Sequence, residues 1–381
     1  MFFLRSCSPL KAKFLSVLIL LSVSTSVRPV LAFSKEDPLI KKIENLVTQE
    51  VVETEIPGAA FGVVLDGKIV LRKYFGKRGS SNTGPVDGQT VFQIASMSKT
   101  LTSSLVVKLA LAGKLKLDEP IAKYLPKLCT QNKCKNILIE HLLSHTSGIS
   151  NSVANSLIEA QAAYPDIIKK TLAAKRLCAP GKCFRYNNVS FALLSEIVAK
   201  VTGTDFQSAL KKEIFQPLEM KQTTTTADGL TKTQNVFAPH LFQRGKYIET
   251  TYSKAYYPFA SAASINSNLD DMLQFLLAEM GFFPNVLSSD ALRLLHTSRI
   301  AAPDASEWFG TNIQSSSYAL GHRVIRTNGM EIVFHGGWIK GARTVIVMIP
   351  GKKFGFVFLQ NTASNLHYNL MFDIARMLNT D

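Results

Sequence analysis

The sequence predicts an α+β protein: one antiparallel sheet built from both chain ends, flanked by helices, with a mostly helical lobe inserted between them. Three observations carry this. An apolar hairpin pattern lies near the amino end, at Ala59 to Leu71, and strand-like runs return in the last third of the chain. Between them, from Leu101 to about Leu294, the texture is helical and punctuated by Pro and Gly.

In chain order, a first helix is expected over Pro38 to Glu53, with apolar residues at helical spacing. Val63-Val64-Leu65 and Ile69-Val70-Leu71 flank Asp66-Gly67, the dipeptide that favours a type I′ turn. A polar, Gly-containing loop from Gly76 to Gln89 leads to Val91-Phe92-Gln93-Ile94 and then to Ser96. The segment Thr100 to Leu111 reads as a buried helix, and Phe191 to Thr202 as another apolar one. Strands are expected at Glu331–Phe334, Thr344–Ile349 and Phe354–Leu359, with Gly351-Lys352-Lys353 turning the chain between the last two. An amphipathic helix from about Asn365 to Leu378 ends the pattern.

Residues 1–32 have the three parts of an export signal. Arg5, Lys11 and Lys13 are basic, Phe14 to Val23 is apolar, and Val30-Leu31-Ala32 gives a small-x-small pattern before Phe33. The apolar part is shorter than the roughly 20 residues that span a bilayer, so no stable membrane span is expected after cleavage. The remaining 33–381 is long enough for a large core and contains no low-complexity linker or internal repeat. Cys129 with Cys134, and Cys178 with Cys183, form two close pairs. Two local disulfides in an oxidising compartment, periplasmic or secreted, are the natural reading. No histidine sits near either pair and neither has C-x-x-C spacing, so metal is not expected there. The formal charge of +15 suits an anionic envelope surface, while an exported chain without a nucleic-acid motif is not expected to bind nucleic acid.

Three motifs carry chemistry. In Ser96-Met97-Ser98-Lys99, positions i and i+3 of a helical turn share a face, so a lysine can take the serine proton. Burial depresses a lysine pKa, as a base requires. The same spacing recurs at Ser8/Lys11, within the export signal, and at Ser208/Lys211, read as a solvated helix face. Tyr186-Asn187-Asn188 follows the turn-rich Cys178–Cys183 stretch. There Tyr186 could sit beside Lys99, whose charge would favour a phenolate, and Asn188 could orient the lysine or meet a substrate amide. His335-Gly336-Gly337 ends a strand where glycine admits a closely approaching chain. Each motif alone also has a plain structural reading: a packed tyrosine, a helix cap, a strand-end histidine.

In this order, S-x-x-K, Y-x-N and [KH]-[TSG]-G resemble the serine penicillin-recognising hydrolases: class C β-lactamases, D-alanyl-D-alanine carboxypeptidases and related esterases. Ile139 to Ile149, Ala179-Pro180-Gly181 and Gly337 to Pro350 also look similar to family segments, so the resemblance covers nearly all of 33–381. It implies a single catalytic domain made of an α/β lobe and a helical lobe. It also implies an acyl-enzyme on Ser96, with Lys99 and Tyr186 moving its proton and Asn188 positioning. The backbone N–H groups of Ser96 and Trp338 would hold the oxyanion, and His335, Gly336 and Gly337 would line the substrate. No cofactor or metal is implied. The resemblance implies action on peptidoglycan-derived D-alanyl peptides, β-lactams or both; His335 stands where class C β-lactamases usually have lysine, which argues against efficient cephalosporin hydrolysis and looks more like D-alanyl-D-alanine carboxypeptidases and family esterases. A carboxylesterase or D-amino-acid amidase on the same scaffold stays open, as does a catalytically silent envelope-binding protein. His145 is read as structural, and the bulk of Trp338 as narrowing the site.

Overall fold

The computed structural model describes residues 37–129, 134–150, 156–158, 160, 162–303 and 313–380. The export signal expected over 1–32 and the loop 130–133 lie outside them. Helix Pro38–Glu53 opens the described chain, started by Asp37, whose carboxylate accepts from the Leu39 N–H, and by Pro38 in the first turn. Strands β1 (Gly58–Leu65) and β2 (Lys68–Gly76) follow. Asp66 and Gly67 both have positive φ, at 46° and 75°, as a type I′ turn demands.

Two small pairings lie in the middle of the chain. Phe92–Gln93 (β3) pairs with Asn266–Ser267 (β6), and His240–Gln243 (β4) with Lys246–Glu249 (β5). The carboxyl-terminal part supplies β7 (Ile300–Ala301), β8 (Ser315–Tyr318), β9 (Arg323–Thr327), β10 (Met330–Ile339), β11 (Ala342–Ile349) and β12 (Phe354–Gln360). The main sheet is antiparallel throughout, in the order β2-β1-β12-β11-β10-β9-β8-β7, so β1 and β12 join the two chain ends.

Both sheet faces are covered, which is why β1 and β12 are buried along their whole length and read as continuous apolar runs. On one face, Ile43 and Val47 of the first helix and Leu370 and Ile374 of the last helix (Leu366–Thr380) pack on Phe61, Phe356 and Phe358. On the other face, helix Leu269–Glu279 lies so close that a Cβ at Gly62 would fall 2.7 Å from Leu273 Cδ1. That second core continues into the helical region around Ser98–Leu111 and Asn188–Thr202.

Several elements differ from expectation. β2 continues to Gly76, β10 continues through His335 and the two glycines to Ile339, and helix Asn188–Thr202 starts three residues before Phe191. The helical stretch is interrupted by the β4-β5 hairpin, and β7, β8 and β9 were not anticipated. Ser208 and Lys211 lie exposed, as read. At Gly67, an alanine would hold a left-handed conformation that costs an L residue about 1–2 kcal/mol. Gly67→Ala is therefore expected to lower the unfolding free energy by about that amount, read as a lower urea midpoint at unchanged slope.

Candidate active site

Ser96 sits in a 3₁₀ turn, Ala95–Met97, that runs directly into helix Ser98–Leu111. Ala95 has a φ of 47°, a strained value that turns the chain sharply from β3 into the helix. Ser96 stays partly exposed while Lys99 is wholly buried. The helix is buried on nearly every side despite its hydroxyl residues, because most of these have partners. Ser98 Oγ accepts from the Ile265 N–H at 3.1 Å, and Thr102 Oγ1 donates to the Ser261 carbonyl at 2.7 Å.

Three oxygens surround Lys99 Nζ: Ser96 Oγ at 3.1 Å, Asn188 Oδ1 at 2.7 Å and the Ala262 carbonyl at 2.8 Å. The rings of Tyr186 and Phe191 close the remaining space, at 4.8 and 5.4 Å from their centroids. Burial, reinforced by the like charge of Arg323, pulls the Lys99 pKa well below the ordinary lysine range. A neutral amine has two N–H donors and one lone pair. Asn188 Oδ1 and the Ala262 carbonyl are pure acceptors and take both donors. The lone pair is then left for the Ser96 hydroxyl.

Tyr186 hydrogen-bonds Ser96 through its hydroxyl. The expectation of a phenolate is corrected here. Burial pushes the Tyr186 pKa up, outweighing the hydrogen bond to Ser96 and the nearby Arg323, which act the other way. The same dry surroundings that discharge Lys99 also keep the phenol protonated. Asn187, not Asn188, caps helix Asn188–Thr202, accepting from the Ser190 N–H at 2.9 Å, which leaves Asn188 in the first turn facing the lysine.

His145 holds this loop in place. Its carbonyl accepts from the Arg185 N–H at 2.8 Å, and its Nδ1 from the Asn187 N–H at 3.2 Å. Its ring lies 4.2 Å from that of Tyr186, which is thus gripped from both neighbours and one face. Gly148 lets the same segment approach the Cys178–Cys183 loop, since a Cβ there would lie 2.2 Å from the Cys178 carbonyl. Both cysteine pairs, Cys129–Cys134 and Cys178–Cys183, are disulfide-bonded, and the second closes the loop that leads to Tyr186.

The third motif forms the opposite wall. A Cβ on Gly337 would fall 2.1 Å from the Ile94 carbonyl, so glycine is what lets β10 reach the serine turn. Thr344 Oγ1 on β11 donates to the same carbonyl at 3.0 Å and locks the approach. β9 pairs with β10 only as far as Phe334; among the described residues no strand covers that edge from His335 onward. The His335 ring is 2% exposed, with Nε2 3.0 Å from the Tyr318 hydroxyl and Nδ1 2.8 Å from the Gly336 carbonyl. Burial first, with the charge of Arg323 beside it, drives its pKa well down. The side chain is therefore neutral and set behind the surface. Trp338 alternates to the face of Gly336, is 71% exposed and stacks on the Arg343 guanidinium at 4.1 Å. Its bulk points away from the Gly337 side and does not narrow the site.

Two contributors escaped the sequence. Arg323, on β9, is 4% exposed, and its guanidinium lies 5.8–5.9 Å from the ring centroids of Phe184, Tyr186 and Tyr318. The Ala262 carbonyl comes from the short helix Ala260–Ala263, whose small residues permit its approach. Only the run Ser261-Ala262-Ala263-Ser264 hinted at such close packing.

Comparison with known proteins agrees with this fold. The family model described as Beta-lactamase matches residues 43–373, and the chain belongs to that family of serine hydrolases. Among curated relatives, Protein flp of Staphylococcus aureus (strain MW2) is 23% identical over 331 residues, 85% of this chain. The chain spans 63% of that protein's length. The octameric penicillin-binding protein homologue from Pyrococcus abyssi superposes with a TM-score of 0.77 at 24% identity, over 89% of this chain and 77% of that one. EstCE1, a hydrolase with promiscuous acyltransferase activity, gives 0.75 at 17% identity over 90% and 98%. At these identities the structural likeness shows the fold.

Gly337→Ala should separate β10 from the Ser96 turn, because a backbone carbonyl cannot yield as a side chain would. Acylation of Ser96 by a chromogenic ester is expected to slow by about 10–100-fold. Gly351→Ala, where a Cβ meets nothing within 4 Å, should leave the rate unchanged.

Proposed function

We propose that the chain is an exported serine acyl-hydrolase that forms an acyl-enzyme on Ser96 with D-alanyl peptides or β-lactams. The observation that carries this is the Lys99 amine, buried, with its two donors engaged and its lone pair left for Ser96 Oγ. As Oγ attacks the substrate carbonyl, the new O–C bond forms and the Ser96 proton passes to Lys99. The oxyanion is held by the backbone N–H groups of Ser96 and Trp338. Tyr186, a protonated phenol hydrogen-bonded to Ser96, gives its proton to the leaving nitrogen as the C–N bond breaks and is reprotonated from Lys99, which returns to the neutral amine. Water then attacks the acyl carbon, Lys99 or Tyr186 accepting its proton and returning it to Ser96 Oγ as the ester C–O bond breaks. Asn188 holds the amine in line, and the uncovered edge of β10 from His335 through Gly337 offers backbone groups to an extended substrate.

The cation at Arg323 favours a substrate bearing a carboxylate, as D-alanyl peptides and penicillins do. A second reading, a carboxylesterase or D-amino-acid amidase, is favoured by His335, whose neutral, buried ring is no charged anchor on β10. The two disulfides support an oxidising compartment, and among the described residues no helix is long and apolar enough to cross a membrane. The basic charge suits residence at an anionic envelope surface.

Incubation with benzylpenicillin, followed by intact-mass analysis and peptide mapping, is expected to give an adduct on Ser96 that Ser96→Ala lacks. Undiminished turnover in Ser96→Ala would contradict the assignment. Absence of a penicillin adduct, with rapid aryl-ester hydrolysis, would favour the esterase reading. A base with a depressed pKa is active above that pKa and lost as pH falls through it. The kcat/KM profile should therefore rise on one ionisation far below the ordinary lysine value of about 10.4. Lys99→Ala should slow acylation about 10²–10⁴-fold.

A further inference from the structure

On the far side of the serine helix, three elements each deliver one metal-ligating side chain to a single point. Glu279 ends helix Leu269–Glu279, His296 ends helix Ser289–His296, and His322 stands just before β9. Glu279 Oε2 lies 2.8 Å from His296 Nε2 and 3.2 Å from His322 Nε2, and the three atoms fall within 4.8 Å of one another. Glu279 and His322 are buried, while His296 keeps a partly open edge.

We propose that Glu279, His296 and His322 form a structural zinc site. The first argument is the tautomer. His322 Nδ1 lies 2.9 Å from the Leu320 carbonyl, the acceptor that suits the Nδ1–H tautomer, in which Nε2 presents its lone pair toward Glu279. The second is geometric. His322 Nε2, buried, is 3.2 Å from Oε2 and makes no other hydrogen bond. A proton on it would not bridge the gap well; a metal ion shared by three lone pairs would.

The spacing also fits. Zinc holds imidazole nitrogen and carboxylate oxygen at about 2.0–2.2 Å, which on a tetrahedral ion separates two donors by about 3.3 Å. The two oxygen–nitrogen pairs, at 2.8 and 3.2 Å, lie near this value, and the three atoms fall within 4.8 Å of one another. The outer shell is in place as well. The Leu320 carbonyl orients His322, and Ser104 Oγ donates to Glu279 Oε1 at 2.5 Å. A cavity of about 230 Å³, lined by Glu279, His296, Met280 and Leu292, gives the ion an entry and a water its fourth position. Because Ser104 belongs to the helix of Lys99 and His322 precedes Arg323, the ion would brace both sides of the active site without touching substrate.

The test uses the exported chain stripped with EDTA, then titrated with Co²⁺ and with Zn²⁺. The expected result is one Co²⁺ per chain with the intense visible bands of four-coordinate cobalt. Zn²⁺ should abolish those bands and raise the Tm by several degrees. His296→Ala, at the partly open ligand, should fold and keep its penicillin or ester reactivity while binding Co²⁺ at least tenfold more weakly. Stripped protein with no visible band and no Tm response to either ion would overturn the site and leave a His–Glu–His ion-pair network. Undiminished Co²⁺ binding in His296→Ala would overturn it equally.

Discussion

A lysine amine with no water around it must either find an anion or give up its proton. In this chain Lys99 meets two neutral carbonyl-type acceptors, one hydroxyl and two aromatic rings, and the charge acting on it is the like charge of Arg323. Each contact comes from a different place: Ser96 from the preceding turn, Asn188 from a helix start, Ala262 from a short helix of small residues. Much of the fold can be understood as the means of bringing these to one nitrogen. The burial that discharges the amine also keeps Tyr186 protonated and His335 neutral, so one physical cause sets three protonation states.

Close backbone approach is the second constraint. Gly337 admits β10 to the Ile94 carbonyl, Gly148 admits the His145 segment to the Cys178 carbonyl, and Gly62 admits Leu273 to the sheet. These contacts fasten the serine turn and the tyrosine loop to parts of the structure distant in sequence. His145 then fixes Tyr186 through the backbone on either side of it, a positioning role exerted through another residue. The site is thus held by backbone contacts as much as by side chains.

Local signals were legible wherever one segment contains its own cause. The run from Pro38 reads as the first helix, Asp66-Gly67 turns the first hairpin, and the apolar run Phe354 to Leu359 reads as a strand. Ser315-Ser316-Ser317-Tyr318 gave no such signal, because a short strand of hydroxyl residues has neither apolar alternation nor an apolar run. β10 was read too short because two glycines have low strand propensity, although pairing with β11 carries the strand through them. Ser96, Lys99, Tyr186 and Asn188 were visible as motifs. The Ala262 carbonyl was not, since a backbone oxygen leaves no residue signature. Glu279, His296 and His322 went unnoticed for a related reason: each is ordinary in its own helix or turn, and only packing of three elements joins them.

The protonation state of Lys99 tests the account most directly. Lysine labelled with ¹³C at Cε and ¹⁵N at Nζ, assigned by comparison with Lys99→Arg, reports it by NMR across pH. The account predicts an Lys99 signal already at the neutral-amine position at pH 7, titrating once, on the acid side. A signal at the ammonium position at pH 7, moving only near the ordinary lysine range, would contradict it.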